Sequence, residues 1–154
     1  MRLTPFTRKF IIFFLNFRFF VQSKLALPYW PKDSVVTYVD DGKVDTHNAM
    51  NTGTGTFTAP FSGIYGFTFT ALFDCGYDDR RMYFKHNGKR DGAPIHICRL
   101  FLTDSTTDYI LGSDTVSFSR YMQKGDRLQI DSGGARIYIG SLSAKFSGFL
   151  LKKM

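Results

Sequence analysis

Residues 51–73 read NTGTGTFTAPFSGIYGFTFTALF, and three signals follow one another in that stretch. Turn formers from Asn51 to Gly55 come first, then a Pro60 corner ahead of Ser62-Gly63, then Tyr65, Phe67, Phe69, Ala71 and Phe73 at every second position. That period belongs to a strand with one buried face, because successive side chains of a β-strand point to opposite sides. Gly55 and Gly63 are free to take the positive φ of tight turns, and Pro60 holds φ near about −65°. No acid, base or nucleophile is placed there for chemistry. The stretch predicts a turn, a corner and a core strand, with packing as the role of the rings.

The remainder of the chain supports this. Its 154 residues match the size of one domain, which buries about 68–70% of the surface of its unfolded chain. The 17 Phe and 8 Tyr supply much of the apolar bulk, and rings suit a pleated, half-buried surface. All 13 acidic residues are Asp. Glu favours helix interiors, whereas Asp bonds to nearby backbone in turns and caps, so the composition points to strands joined by loops. Alternation and turn residues place strands near 17–25, 34–39, 43–49, 56–60, 63–73, 80–87, 94–102, 114–121, 126–131, 135–139 and 144–151. Asn87-Gly88 is a strong hairpin signal, since both turn positions require positive φ. No segment keeps a helical period, and internal repeats are absent. About ten short strands in one domain make an all-β sandwich or jelly roll.

The net charge of +7 is unevenly spread. The first 26 residues carry Arg2, Arg8, Lys9, Arg18 and Lys24 with no acid, leaving 15 basic residues against 13 acidic ones, a balance of +2. Nucleic acid is therefore not expected as a partner. The same N-terminal segment has two readings. Its basic start and the apolar run from Phe10 to Leu15 outline a secretory signal, interrupted by Asn16 and Arg18. Alternatively, Phe17, Phe19 and Val21 alternate as the first strand, which cleavage after Ser23 would cut; an incomplete or mispredicted start is a third reading. Residues 1–16 are set apart as a signal-like or atypical segment, and residues 17–154 as the domain. The apolar run is too short to span a bilayer, which takes about 20 residues.

Cys75 and Cys98 are too few for a disulfide framework and lack the paired spacing of zinc ligands. An extracellular setting would permit one bridge between them, and a small buried thiol fits Cys98 equally well. Catalytic signatures are missing: there is no Gly-x-Ser-x-Gly elbow, no phosphate-cradling loop, no His-Glu-x-x-His and no Glu, while His47, His86 and His96 stand isolated. The chain does not read as an enzyme. Arg80, Arg81, Lys85, Lys89 and Arg90 flank the expected hairpin, a basic ridge suited to anionic glycans or lipopolysaccharide phosphates. The alternative is a solvated hairpin whose charges discourage edge pairing. Asp74, Asp78 and Asp79 either neutralise these bases or offer oxygens to calcium, without the regular spacing of a calcium loop.

Taken with the C-terminus, the 51–73 stretch resembles the globular head domain of complement component 1q. That family's signature ends in Phe, five residues, then Gly-x-Tyr-x-Phe-x-aromatic, and Phe57, Gly63, Tyr65, Phe67 and Phe69 match its spacing. Asp45 meets the preceding Asp or Asn, while Val39 and Met50 stand where the family has Phe and an aromatic or Leu. Thr54-Gly55 ahead of the Phe57 to Pro60 segment, Lys124-Gly125-Asp126, and Phe146-Ser147-Gly148-Phe149-Leu150 extend the resemblance over residues 17–151. It implies a secreted, extracellular, ten-stranded jelly roll of two antiparallel sheets like that of tumour necrosis factor, assembled as a homotrimer. Some members bind calcium near the trimer axis. A stand-alone domain without collagen, as here, is similar to lectin-like innate-immune proteins that recognise carbohydrate or anionic microbial patterns. The alternative is a cytokine-like or synaptic-organiser-like signalling ligand that engages a protein receptor.

Overall fold

A computed structural model of the chain describes residues 17–22, 33–74, 81–97, 111–133, 137–138 and 144–154. The strands among them are β1 (Arg18–Gln22), β2 (Val39–Asp45), β3 (Met50–Asn51), β4 (Thr56–Thr58), β5 (Gly63–Asp74), β6 (Arg81–His86), β7 (Lys89–Ile97), β8 (Leu111–Met122), β9 (Arg127–Asp131), β10 (Ile137–Tyr138) and β11 (Lys145–Lys153). One sheet runs β2-β1-β11-β5-β8, the other β3-β4-β9-β6-β7, and every pairing is antiparallel. β10 pairs with Leu72 and Phe73 on the same flank of β5 that β11 occupies from Thr70 to Gly63. β10 and β11 therefore share one place, and the fold is a jelly roll of two five-position sheets, as expected.

The core is the aromatic ladder and what it meets. Tyr65, Phe67, Phe69 and Ala71 are all buried on the inner face of β5. Phe57, projecting from the opposite sheet, stacks on Phe19 with ring centroids 5.1 Å apart and meets Phe67 edge-on at 5.3 Å. Phe146 completes the cluster, 5.0 Å from Phe19 and 6.0 Å from Phe67. Such tilted and offset contacts suit the ring quadrupoles, and full burial of each ring stabilises the fold by roughly 1.5–3 kcal/mol. Gly148 lets β11 pass beneath these rings: a Cβ there would lie 2.4 Å from Phe19 and 2.9 Å from Phe67.

Between β4 and β5 the chain crosses from one sheet to the other at Pro60, Phe61 and Ser62. The Tyr65 hydroxyl donates to the Phe61 carbonyl at 2.7 Å and accepts from the Phe61 amide at 3.1 Å, fastening the corner to the strand that follows. Gly55 has φ +63°, and a Cβ would stand 1.9 Å from the Val36 carbonyl oxygen. Gly63 differs from expectation: its φ is not left-handed, and its small size is needed for contact with β11, where a Cβ would lie 2.3 Å from the Lys152 carbonyl oxygen. Asp45, the signature acid, accepts from the amides of His47 (3.3 Å), Ala49 (3.0 Å) and Met50 (2.8 Å). One carboxylate thus satisfies the turn that leads from β2 to β3.

Several boundaries depart from the sequence reading. Residues 34–38 form no strand, and only Val39 of the expected 34–39 is in β2; Val35 makes a single bridge to Asp131, and the amides of Val36 and Tyr38 bond to Ile130 and Thr52. The strand expected at 43–49 lies earlier, at Val39–Asp45, because the Asp45 turn consumes 46–48, where Asn48 takes φ 49°. β7 starts at Lys89 rather than 94, since the two-residue turn pairs Lys89 directly with His86. Its polar opening carries no apolar alternation. β3, of two residues, is too short to carry a period in the sequence. The expected leader 1–16 and the two cysteines lie outside the described residues.

Candidate functional site

The hairpin of β6 and β7 turns on Asn87 (φ 50°) and Gly88 (φ 82°), the left-handed pair of a type I′ turn. Asn87 is also latched to β9. Its amide donates to the Arg127 carbonyl at 2.9 Å, its Oδ1 accepts from the Arg127 amide at 2.8 Å, and its Nδ2 donates to Asp126 Oδ1 at 3.0 Å. Asp126 Oδ2 further accepts from the Gln123 amide at 2.9 Å and faces His86 Nε2 at 3.1 Å. The Asn87 bond, with those from Gln123 and His86, holds the Asp126 carboxyl below the usual range against the opposing effect of its partial desolvation. His86 Nδ1 faces Arg120 Nη2 at 3.3 Å. A guanidinium only donates, so this contact assigns the proton of the neutral ring to Nε2, toward Asp126. Arg120 also pairs with Asp91. The chain of contacts ties β8 of one sheet to the hairpin and β9 of the other.

Two of the expected ridge residues are engaged inside the protein. Lys85 Nζ lies 2.8 Å from Asp131 Oδ2, and Arg90 reaches both Asp131 oxygens at 3.3 Å and Asp33 at 2.8 Å while lying 4.6 Å above the Tyr83 ring. Asp131 is only 1% exposed and also accepts from the Gly133 amide at 2.8 Å. Burial pushes its carboxyl up, yet the bonds from Lys85, Gly133 and Arg90 prevail and hold it below the usual range. The bonds to Asp131 and Asp33 raise the Arg90 guanidinium in turn. Arg81 is exposed at the start of β6, and Arg80 lies outside the described residues.

Lys89 is exposed beside the turn, and its ammonium has no partner among the described residues. Lys124, named in the sequence reading only for the Lys124-Gly125-Asp126 match, and Arg127, not named there, share that condition, and both flank the Asp126 that holds Asn87. Nothing local in the sequence marks them, because they reach the hairpin only through the pairing of β6 with β9. Of the acidic cluster, Asp74 pairs through its backbone with Leu111, and Asp78 and Asp79 lie outside the described residues. Among the described residues no group of three or more His, Cys, Asp or Glu could hold a metal ion.

The outer face of the β5 sheet is apolar in its middle. Tyr121, Phe149 and Leu151 are 50%, 49% and 52% exposed. Phe149 lies across Gly66, and a groove of about 370 Å³ runs between Phe149 and Leu151 on one side and Ser117 and Ser119 on the other. Beside it, hydroxyls bridge β5 to β8: Thr68 to Ser117 at 3.0 Å and Thr70 to Thr115 at 2.9 Å.

Comparison with known proteins fits this architecture. The C1q domain family model matches residues 18–151. The globular domain of the zebrafish complement 1qA protein superposes with a TM-score of 0.63 at 22% identity, covering 89% of this chain and 98% of that one. The Eiger TNF of S. frugiperda superposes with a TM-score of 0.59 at 13% identity, covering 90% of this chain and 94% of that one. A search of curated proteins finds no match.

Proposed function

The chain belongs to the C1q domain family, and on that premise we propose that it is a secreted recognition module, a homotrimer that binds carbohydrate or anionic microbial surfaces in the manner of innate immunity. Proteins of the family are typically extracellular and generally non-enzymatic, and such domains commonly form trimers. Among the described residues no helix is long and apolar enough to cross a membrane. The signal-like residues 1–16 agree with export, and the N-terminal sequence of the secreted protein tests it.

One observation carries the binding half of this reading: a turn clamped to its neighbouring strand by three Asn87 bonds presents Lys89, Lys124 and Arg127 without counter-ions among the described residues. A rigid cationic tip loses little entropy on meeting phosphate or sulfate groups. Lys85 and Arg90, held by Asp131, support the tip, while Arg81 extends the basic edge. The test is retention on immobilised lipopolysaccharide and on anionic polysaccharide. Lys89→Ala with Arg127→Ala should weaken it at least about tenfold, more steeply at low salt. Retention unchanged by the double replacement rules out the tip.

The second reading is a signalling ligand for a protein receptor. It is favoured by the internal neutralisation of Lys85 and Arg90, which leaves a smaller cationic area than the sequence implied. Saturable binding to one membrane protein, with indifference to polysaccharides, would establish it.

A further inference from the structure

Where β2 turns into β3, at the edges of the two sheets, a polar crevice of about 280 Å³ is lined by Asp40, Lys43, Asn48, Met50, Asn51 and Thr52. Its walls are held in place. Thr52 Oγ1 donates to Asp40 Oδ1 at 2.8 Å, Lys43 Nζ donates to the Met50 carbonyl at 3.0 Å, and Asn51 Oδ1 accepts from the Thr54 amide at 3.0 Å. The Asp45 carboxylate fixes the intervening turn through its three amide bonds. Hydrogen-bonding capacity is left over. Asp40 Oδ2, the Asn48 side-chain amide and Asn51 Nδ2 make no bond among the described residues. Lys43 Nζ, beyond its bond to Met50, faces Asp40 Oδ1 at 3.6 Å and Asp45 Oδ2 at 3.9 Å.

A free carboxylate oxygen beside amide and ammonium donors matches adjacent hydroxyls, each of which both donates and accepts. Charge narrows the ligand: Asp40, Asp41 and Asp45 against Lys43 leave a local balance of −2, which disfavours phosphate, sulfate and uronate. Size narrows it further. The crevice falls just below the roughly 300–1,000 Å³ of pockets for drug-sized ligands, so it suits one ring.

We propose that this crevice binds a single ring of a neutral saccharide through vicinal hydroxyls, at a site separate from the cationic tip. The inference rests on the carbohydrate part of the function proposed above and gives that part its own address. The test is a titration of isotope-labelled protein with methyl mannoside, methyl galactoside and N-acetylglucosamine, followed by amide chemical shifts. At least one sugar should shift the Asn48 and Asn51 amides saturably, with an affinity of about 1 mM, and leave Lys89 and Arg127 unmoved. Asp40→Asn keeps an acceptor for Thr52 but removes the charge, and Asp40 is 77% exposed, so the fold tolerates it. That variant and Asn51→Ala should each weaken binding at least about tenfold. The proposal fails if none of the three sugars moves these amides at about 50 mM, or if both variants bind as the parent does. Crevice shifts that persist while lipopolysaccharide retention proves indifferent to Lys89→Ala and Arg127→Ala uphold the crevice and remove the tip.

Discussion

Tyr65 places one oxygen between the amide and carbonyl of Phe61, so a single hydroxyl satisfies both backbone groups at the point where the chain changes sheets. Burial raises its pKa, with the Phe61 bond acting the other way, and keeps the phenol protonated at neutral pH. Tyr65→Phe strands those two groups and should cost about 1–3 kcal/mol in urea unfolding, with little change in slope. Gly55 is less forgiving. Any side chain there combines left-handed φ with a clash against the Val36 carbonyl, so Gly55→Ala should cost more than about 2 kcal/mol in the same measurement. Asp131 brings a pH dependence. Its carboxyl is held below the unfolded value of about 3.9, so its contribution is complete above that pH and lost as the pH falls through the folded value. Asp131→Asn should therefore lower the urea midpoint at pH 7 and narrow the gap between variant and parent at pH 3.

At the scale of the element, the β6-β7 hairpin separates turn geometry from attachment. Gly88 and the left-handed Asn87 shape the turn, while the Asn87 side chain ties it to β9. Asn87→Gly keeps the first and deletes the second. The hairpin should still form, but hydrogen exchange at the Arg127 amide should quicken roughly tenfold, equivalent to about 1.4 kcal/mol of local protection. An unchanged rate would mean the strand pairing alone holds the tip. The same element shows what a sequence discloses. Asn87-Gly88 announced the turn, and the ladder from Tyr65 announced β5, because both signals are local and periodic. β7 was misplaced because Lys89 to Gly92 carry no apolar alternation, although pairing with β6 makes them strand. Lys85 and Arg90 read as a free basic ridge because Asp131, 41 residues beyond Arg90, reaches them only through the sheet. For the same reason Lys124 and Arg127 were not read as part of the basic tip: residues brought together through β9 leave no spacing along the chain to recognise.

For the molecule as a whole, the two sheets differ in what their outer faces offer. The face of β6, β7 and β9 carries Lys85, Arg90 and Arg127, whereas the β5 face exposes Tyr121 together with Phe149 and Leu151, which wall a groove. Exposed rings of this kind, interleaved with hydroxyls already bonded to one another, suit burial against protein better than contact with water. The trimer proposed for the chain would give that face an occupant in the next subunit and would bring three hairpin tips into one assembly. Multivalent contact then multiplies weak single-site binding by a factor of about 10²–10⁴. Tyr121→Asp with Phe149→Asp should split the assembly, because two carboxylates would have to be desolvated in each interface. Both side chains are about half exposed in the isolated chain, so the fold itself should survive, with an unchanged far-ultraviolet spectrum. Sedimentation equilibrium at micromolar concentration should give three chain masses for the parent and one for the double variant. The variant should also lose most retention on lipopolysaccharide while keeping its cationic tip. A parent that sediments as a monomer, or a double variant that stays trimeric, would remove the β5 face as the interface.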